Sequence, residues 1–229
     1  MNTLTVIFDI DGVVVDSEQL HFDVLKDLLP QHTDEVSVRD LIGLSLEETL
    51  LCLGIDVERH EEIEFKIVSA YKAMLGPQYL RPGIRKFILG LIENHVPFGF
   101  VSTAPREICL ANLATLELPF KQLLISGDDT ERTKPYPDPY FAMLQCLGSY
   151  PDETIVIEDT DLGIEAATGA GIKHVYGWPH ALSDKESYAS AFKVIHSLDE
   201  IYALNAILNS NLNKRKSPLA SFKSFDTEG

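Results

Sequence analysis

Hydrophobic residues in this chain fall into two rhythms. Short, largely unbroken apolar runs lie at Leu4 to Phe8, Pro97 to Val101, Gln122 to Ser126, Thr154 to Ile157 and His174 to Tyr176, with Val194 to Ile195 as a sixth. They lack polar alternation, the pattern of strands buried on both faces of a parallel sheet. Between them, apolar positions recur every three or four residues. Pro82-Gly83 opens one such stretch, with Ile84, Phe87, Ile88, Leu91 and Ile92 on a common face. Arg106 to Leu116, Tyr140 to Leu147 and Asp161 to Ala170 are three more, the last closing on Gly171 as a helix stop. Strand alternating with helix predicts an α/β fold with a doubly wound parallel sheet.

One interval breaks this alternation. From Ser17 to Tyr79 the spacing is helical throughout, with stripes at His21, Phe22, Leu25, Leu28 and Leu29, at Leu46, Thr49, Leu50 and Leu53, and at Ile63, Ile67, Ala70, Tyr71 and Met74. A single crossover between parallel strands needs far fewer residues. The interval therefore predicts an inserted all-helical domain. The expected division is a core of residues 1–16 and 80–208, a helical insert of residues 17–79, and a polar tail of residues 209–229 that carries the basic cluster Lys214-Arg215-Lys216.

Composition narrows the function. With 19 basic and 35 acidic side chains among 229 residues, the formal charge is −16. Such a chain lacks the basic face needed to neutralise nucleic-acid phosphates or dock on an anionic membrane. Cys52, Cys109 and Cys146 are widely spaced and form no CxxC, so they read as three buried, reduced thiols of a cytoplasmic protein. No run is long enough to span a bilayer.

The polar residues that matter fall where the apolar runs stop. Ligands of parallel sheets bind beyond the carboxyl ends of the strands. Asp9 and Asp11 follow the first run, Ser102 and Thr103 the second, Lys134 the third, and Glu158 and Asp159 the fourth. Four carboxylates in one small volume repel one another and require a cation. An oxygen-rich cluster of this kind suits Mg²⁺, and Lys134 adds a further positive charge. A calcium loop fails, because its fifth, sixth and twelfth positions counted from Asp9 hold Val13, Val14 and Leu20. No GxxxxGK[ST] or GxGxxG occurs. His21 and His32 lack metal-ligand spacing, though His21 is close enough in sequence to face the site.

"DIDGVVVDSE", "FVSTAPRE", "TKPYPDPYF" and "IVIEDTDLGIEAATGAG" resemble, in order, the four motifs of the haloacid dehalogenase superfamily. The insert after the first motif resembles the helical cap of the branch containing β-phosphoglucomutase and phosphoglycolate phosphatase. The resemblance implies a Mg²⁺-dependent phosphatase acting on a small phosphorylated metabolite such as a sugar phosphate, as a monomer or weak homodimer. It implies that Asp9 is the nucleophile forming an aspartyl-phosphate and Asp11 the general acid and base. Gly12, Ser102, Thr103, Ala104 and Lys134 would hold the phosphoryl group. Arg106 reads equally as a further substrate contact or a solvated first-turn helix residue, and His21 as a further contact or a helix-surface or packing residue. Asp9, the Asp11 carbonyl, Glu158 and Asp159 would hold the metal.

The cap loop "IGLSLEET" separates phosphatase from mutase. β-Phosphoglucomutase-like proteins carry an arginine where this chain has Leu46 and a lysine near Ile42, both serving a second phosphate. Their absence implies a monophosphate with a largely neutral leaving group, such as a sugar phosphate; phosphoglycolate stays open, because Arg106 or a cap residue could bind a carboxylate. A mutase of that type is the alternative. A receiver-like phospho-aspartate signalling domain is the alternative from a different class, but receivers lack a helical insert after the first strand.

Overall fold

The computed structural model describes residues 4–41, 46–180, 183 and 186–215, with side chains described through residue 208. Each of the six apolar runs contributes a strand: β1 (Thr5–Asp9), β2 (Phe98–Val101), β3 (Leu124–Ile125), β4 (Thr154–Glu158), β5 (His174–Gly177) and β6 (Lys193–Val194). They form one parallel sheet in the order β3-β2-β1-β4-β5-β6. The order reverses direction at β1, which pairs with β2 on one side and β4 on the other. That is the switch point at which parallel sheets open a crevice. Only two residues of the run Gln122 to Ser126 pair as β3, a short strand on one edge of the sheet.

Between β1 and β2 the chain is helical: α1 (Ser17–Leu28), α2 (Pro30–Thr33), α3 (Val38–Leu41), α4 (Leu46–Cys52) and α5 (His60–Met74). These helices close on their own cluster, in which Leu20, Val24, Leu50, Ile63, Ile67 and Tyr71 are buried. The remaining helices are α6 (Ile84–Glu93), α7 (Arg106–Ala114), α8 (Asp138–Leu147), α9 (Asp161–Gly169) and α10 (Tyr202–Arg215). The helix α10 runs past Asn209, where the sequence suggested the polar tail begins, and side chains from Asn209 onward lie outside the described residues. No helix among the described residues is long and apolar enough to cross a membrane.

Strand periodicity splits the sheet's side chains between two cores. Phe8 and Phe100 face one side with α6 and α7, while Ile7, Val101 and Val156 face the other with α8 and α9. Phe8 and Phe100 stack at 5.7 Å and Phe87 meets Phe8 edge-on at 6.2 Å. Both faces are covered, which is why the strands read as continuous apolar runs. The two passages between sheet and insert lie side by side, tied by Asp16 N–H to the Tyr79 carbonyl at 2.8 Å and Arg81 N–H to the Val14 carbonyl at 3.0 Å. After α9, Gly171 takes a left-handed φ of 83°, as a helix stop requires.

The cysteines depart from expectation. Only Cys109 is buried; Cys52 and Cys146 lie on outer faces of α4 and α8 and are exposed. Burial pushes the Cys109 thiol up to about 12. A thiol-reactive disulfide reagent at pH 8 should therefore titrate two thiols in the native protein and the third only after guanidinium unfolding. Rapid native reaction of all three would contradict this packing.

Candidate active site

The end of β1 gathers the acids. Asp9 closes β1 level with Val101 of β2, and Glu158 closes β4 level with Gly177 of β5. Asp9, Glu158 and Asp159 each place a carboxylate oxygen within 4.8 Å of the others, and all three residues are buried. Lys134 reaches into this cluster from the loop between β3 and α8, donating to Asp9 Oδ1 and, at 2.5 Å, to Glu158 Oε1. Tyr140 of α8 donates its hydroxyl to the same Glu158 oxygen.

Three ionised carboxylates and one ammonium leave a net charge of −2 in a dry volume. At 4.8 Å each like-charged pair costs about 3 kcal/mol at an effective dielectric of 20. Burial, with the neighbouring acids adding to it, raises the pKa of Asp9 and Asp159 well above the carboxylate range. Burial works against the Lys134 ammonium, but Asp9 and Glu158 outweigh it and hold its pKa well above the ordinary lysine value.

The oxygens are not equally committed. Glu158 Oε1 accepts from Lys134 and Tyr140, and Oε2 from Asp159 N–H at 3.2 Å and the Thr160 hydroxyl at 3.4 Å. Asp9 Oδ2 and Asp159 Oδ1 are buried and have no hydrogen-bond partner. An orphaned buried carboxylate oxygen is costly, and two facing one cluster fit a divalent cation with oxygen ligands.

Asp11 sits at the rim of this cluster. Ser102 donates its hydroxyl to Asp11 Oδ2 at 2.8 Å, and Asn112 of α7 donates to Oδ1 at 3.2 Å. Tyr71, from α5 of the insert, donates in turn to Asn112 Oδ1 at 2.9 Å. A hydrogen-bonded chain thus joins the helical insert to Asp11. The other expected residues do not all fall in one place, and Thr103 borders two adjoining cavities. Gly12, Ser102, Thr103 and Lys134 line a cavity of about 430 Å³ with Asp9, Asp11 and Asp159. Ala104 lines an adjoining cavity with His21, and its N–H is held by Ser102 Oγ at 3.0 Å. Arg106 lines neither; it pairs with Asp129 at 2.5 Å on the surface. His32 has a packing role, its ring nitrogen bonding the Leu53 carbonyl at 2.9 Å. Of the cap loop, Ile42 and the next three residues lie outside the described residues.

Some participants carry no obvious sequence signal. Arg81 is buried, stacks on Trp178 at 4.1 Å, and donates to the carbonyls of Gly12 at 2.8 Å and Pro179 at 2.9 Å. It pins the loop after β1 to the loop after β5. Tyr188 bonds the Asp159 carbonyl at 2.7 Å. Asn112 and Tyr140 resemble ordinary helix residues until the fold supplies their partners.

A family profile described as haloacid dehalogenase-like hydrolase matches residues 6–176. The chain is 29% identical over 195 residues to a phosphorylated carbohydrates phosphatase of Thermotoga maritima, covering 81% of this chain and 90% of that one. It is also 29% identical over 202 residues to a validoxylamine A 7'-phosphate phosphatase of Streptomyces hygroscopicus, covering 85% and 94%. A pyrophosphatase of Bacillus cereus is 27% identical over 227 residues, covering 93% and 100%. Among solved structures, a hydrolase from Deinococcus radiodurans with bound phosphate and sodium superposes with a TM-score of 0.73 at 23% identity, covering 91% and 97%. A beta-phosphoglucomutase from Clostridium difficile gives 0.65 at 19%, covering 92% and 99%. At these identities the two structures establish the fold alone.

Gly12 has a φ of +81°, and a Cβ there would fall 1.9 Å from Asp159 Oδ2. Gly54 has a φ of +69° with nothing within 4 Å. Gly12→Ala should therefore cost at least about 2 kcal/mol in urea unfolding, against about 1 kcal/mol of backbone strain alone for Gly54→Ala. Equal costs would mean that Asp159 does not crowd the Gly12 turn.

Proposed function

The chain belongs to the haloacid dehalogenase-like hydrolase family, and from that premise we propose that it is a Mg²⁺-dependent phosphatase of small phosphate monoesters working through a phosphorylated aspartate. The observation that carries this reading is the pair of orphaned oxygens, Asp9 Oδ2 and Asp159 Oδ1, buried beside Lys134 and opening on one cavity. The phosphatase names of its relatives support the reading.

Asp9 Oδ2, Asp159 Oδ1 and the Asp11 carbonyl would hold Mg²⁺, with Glu158 acting through water because its own oxygens are engaged. The bound ion supplies positive charge that lets the anionic phosphoryl group enter among carboxylates.

Asp9 attacks phosphorus; the bond from its carboxylate to phosphorus forms as the bond from phosphorus to the ester oxygen breaks. Asp11 gives its proton to the departing alkoxide. It then takes a proton from water as that water attacks phosphorus and frees Asp9 and phosphate. Asn112 keeps Asp11 oriented through both halves. The Ser102 hydroxyl, directed at Asp11 in the structure, turns to a phosphoryl oxygen when substrate enters. Lys134 spans Asp9 and the phosphoryl oxygens, stabilising charge in a preorganised, dry site. The helical cap covers the reacting atoms and excludes competing water. On this reading the enzyme is cytoplasmic, acts alone or as a weak homodimer, and uses Thr103 rather than Arg106 at the phosphoryl pocket.

Asp9→Asn should lose turnover by several orders of magnitude while keeping its fold. Mg²⁺ at a hundredfold excess over its Kd should stabilise the wild type by about 2.7 kcal/mol, raising Tm by roughly 5–10 °C. Asp159→Asn should abolish that rise. If EDTA changes neither activity nor Tm, the metal assignment is wrong.

A further inference from the structure

The phosphoryl cavity continues into a second one beneath the cap. This neighbour has a volume of about 410 Å³ and shares Asp11, Ser17, Glu18 and Thr103 with the first. It is large enough for a small organic group. Anything esterified to a phosphate beside Asp9 would extend past Asp11 into it.

Its wall is apolar. Phe22 and Leu25 of α1, Leu41 of α3, Leu46 of α4, Ile67 of α5 and Ile108 of α7 face the space. His21 and Tyr71 add an aromatic corner, their rings 4.6 Å apart and tilted by 35°. His21 is exposed as a residue, yet desolvation of its ring by the cavity wall lowers its pKa, against the opposing charge of Asp11. Among the described residues no lysine or arginine lines the cavity. Lys72, further along α5, is paired with Glu107. Glu18, at the shared mouth, is acidic.

An anionic tail would meet no cation here and would be repelled by Glu18. A polyol fares little better. Ser17, Glu18, Thr103 and Asp11 stand at the shared mouth and the Tyr71 hydroxyl is given to Asn112, which leaves Thr49 and His21 as partners further in; each hydroxyl left unpaired there costs about tenfold to a hundredfold in specificity. Apolar carbon, by contrast, gains on leaving water at every wall.

On the phosphatase reading the cavity beneath the cap receives the leaving group, and we propose that in this chain it takes the uncharged, predominantly apolar skeleton of an alcohol phosphate, a single aromatic ring or a branched aliphatic chain. This rests on the phosphatase reading above and narrows it away from polyhydroxylated sugars and from second phosphates or carboxylates.

The test compares kcat/KM for 2-phenylethyl phosphate, 3-methylbutyl phosphate, glycerol 3-phosphate and glucose 6-phosphate. All are esters of primary alcohols, so leaving-group basicity differs little and pocket fit dominates. Phosphoglycolate and pyrophosphate serve as charged leaving groups. The first two substrates should exceed each of the other four by at least about tenfold. Val68, on α5 next to Ile67, also lines the cavity. Val68→Asn and Ile108→Asn, each checked for native circular dichroism, should lower the ratio of 2-phenylethyl to glycerol phosphate by at least about fivefold. If glucose 6-phosphate, phosphoglycolate or pyrophosphate is turned over as well as the apolar esters, this inference is overturned while the phosphatase reading stands. An unchanged ratio in a folded variant overturns it likewise. No turnover of any of the six overturns both.

Discussion

Everything at this site follows from confining carboxylates at the end of one buried strand. The polypeptide cannot leave Asp9, Glu158 and Asp159 together in a dry volume without opposing charge. Lys134 supplies part of it from a loop more than a hundred residues downstream of Asp9. Tyr140 and the start of α9 satisfy Glu158, and Gly163 has no side chain because a Cβ there would fall 2.1 Å from the Glu158 carboxyl carbon. Within this cluster of three acids, Asp9 Oδ2 and Asp159 Oδ1 remain buried without a partner. The electrostatic deficit is thus concentrated where the proposed cation and phosphoryl group would sit.

The cap is coupled to this arrangement by polar and apolar contacts. Tyr71 is buried among cap hydrophobics, yet its hydroxyl ends on Asn112, which holds Asp11. Asp11, the proposed general acid and base, is thus oriented jointly by core and insert. Arg81 performs a related task at the second passage between them, fastening the Gly12 carbonyl while its face rests on Trp178. Arginine suits this position because its planar fork donates in two directions while stacking on an aromatic ring. The apolar cavity lies between these anchors, so the same helices that orient Asp11 also set what can sit beside it.

The α/β alternation, the helical insert and the acids at strand ends were legible because each breaks a local pattern. "DID" interrupts an apolar run, and 17–79 replaces one short crossover with several helical stripes. Other features had no local mark. Cys52 and Cys146 looked core-bound by residue type, but the helices that carry them turn those positions outward. Arg106 could be read either as a substrate contact or as a solvated first-turn residue; in the fold it pairs with Asp129, brought near by the end of β3. Asn112 and Tyr140 read as helix positions of no special chemistry.

Local order along the chain therefore determined the fold class, the insert, and which side chains are chemically able to act, because backbone period and strand termination are short-range properties. Tertiary structure alone decided which oxygens stay unpaired, which residues orient Asp11 and Gly12, and what kind of space lies beyond them. Those outcomes depend on partners 69 and 101 positions apart in the chain, as for Arg81 with Gly12 and Asn112 with Asp11. No periodicity in sequence encodes contacts at that range; only the packed sheet and its cap bring them within a hydrogen bond's reach.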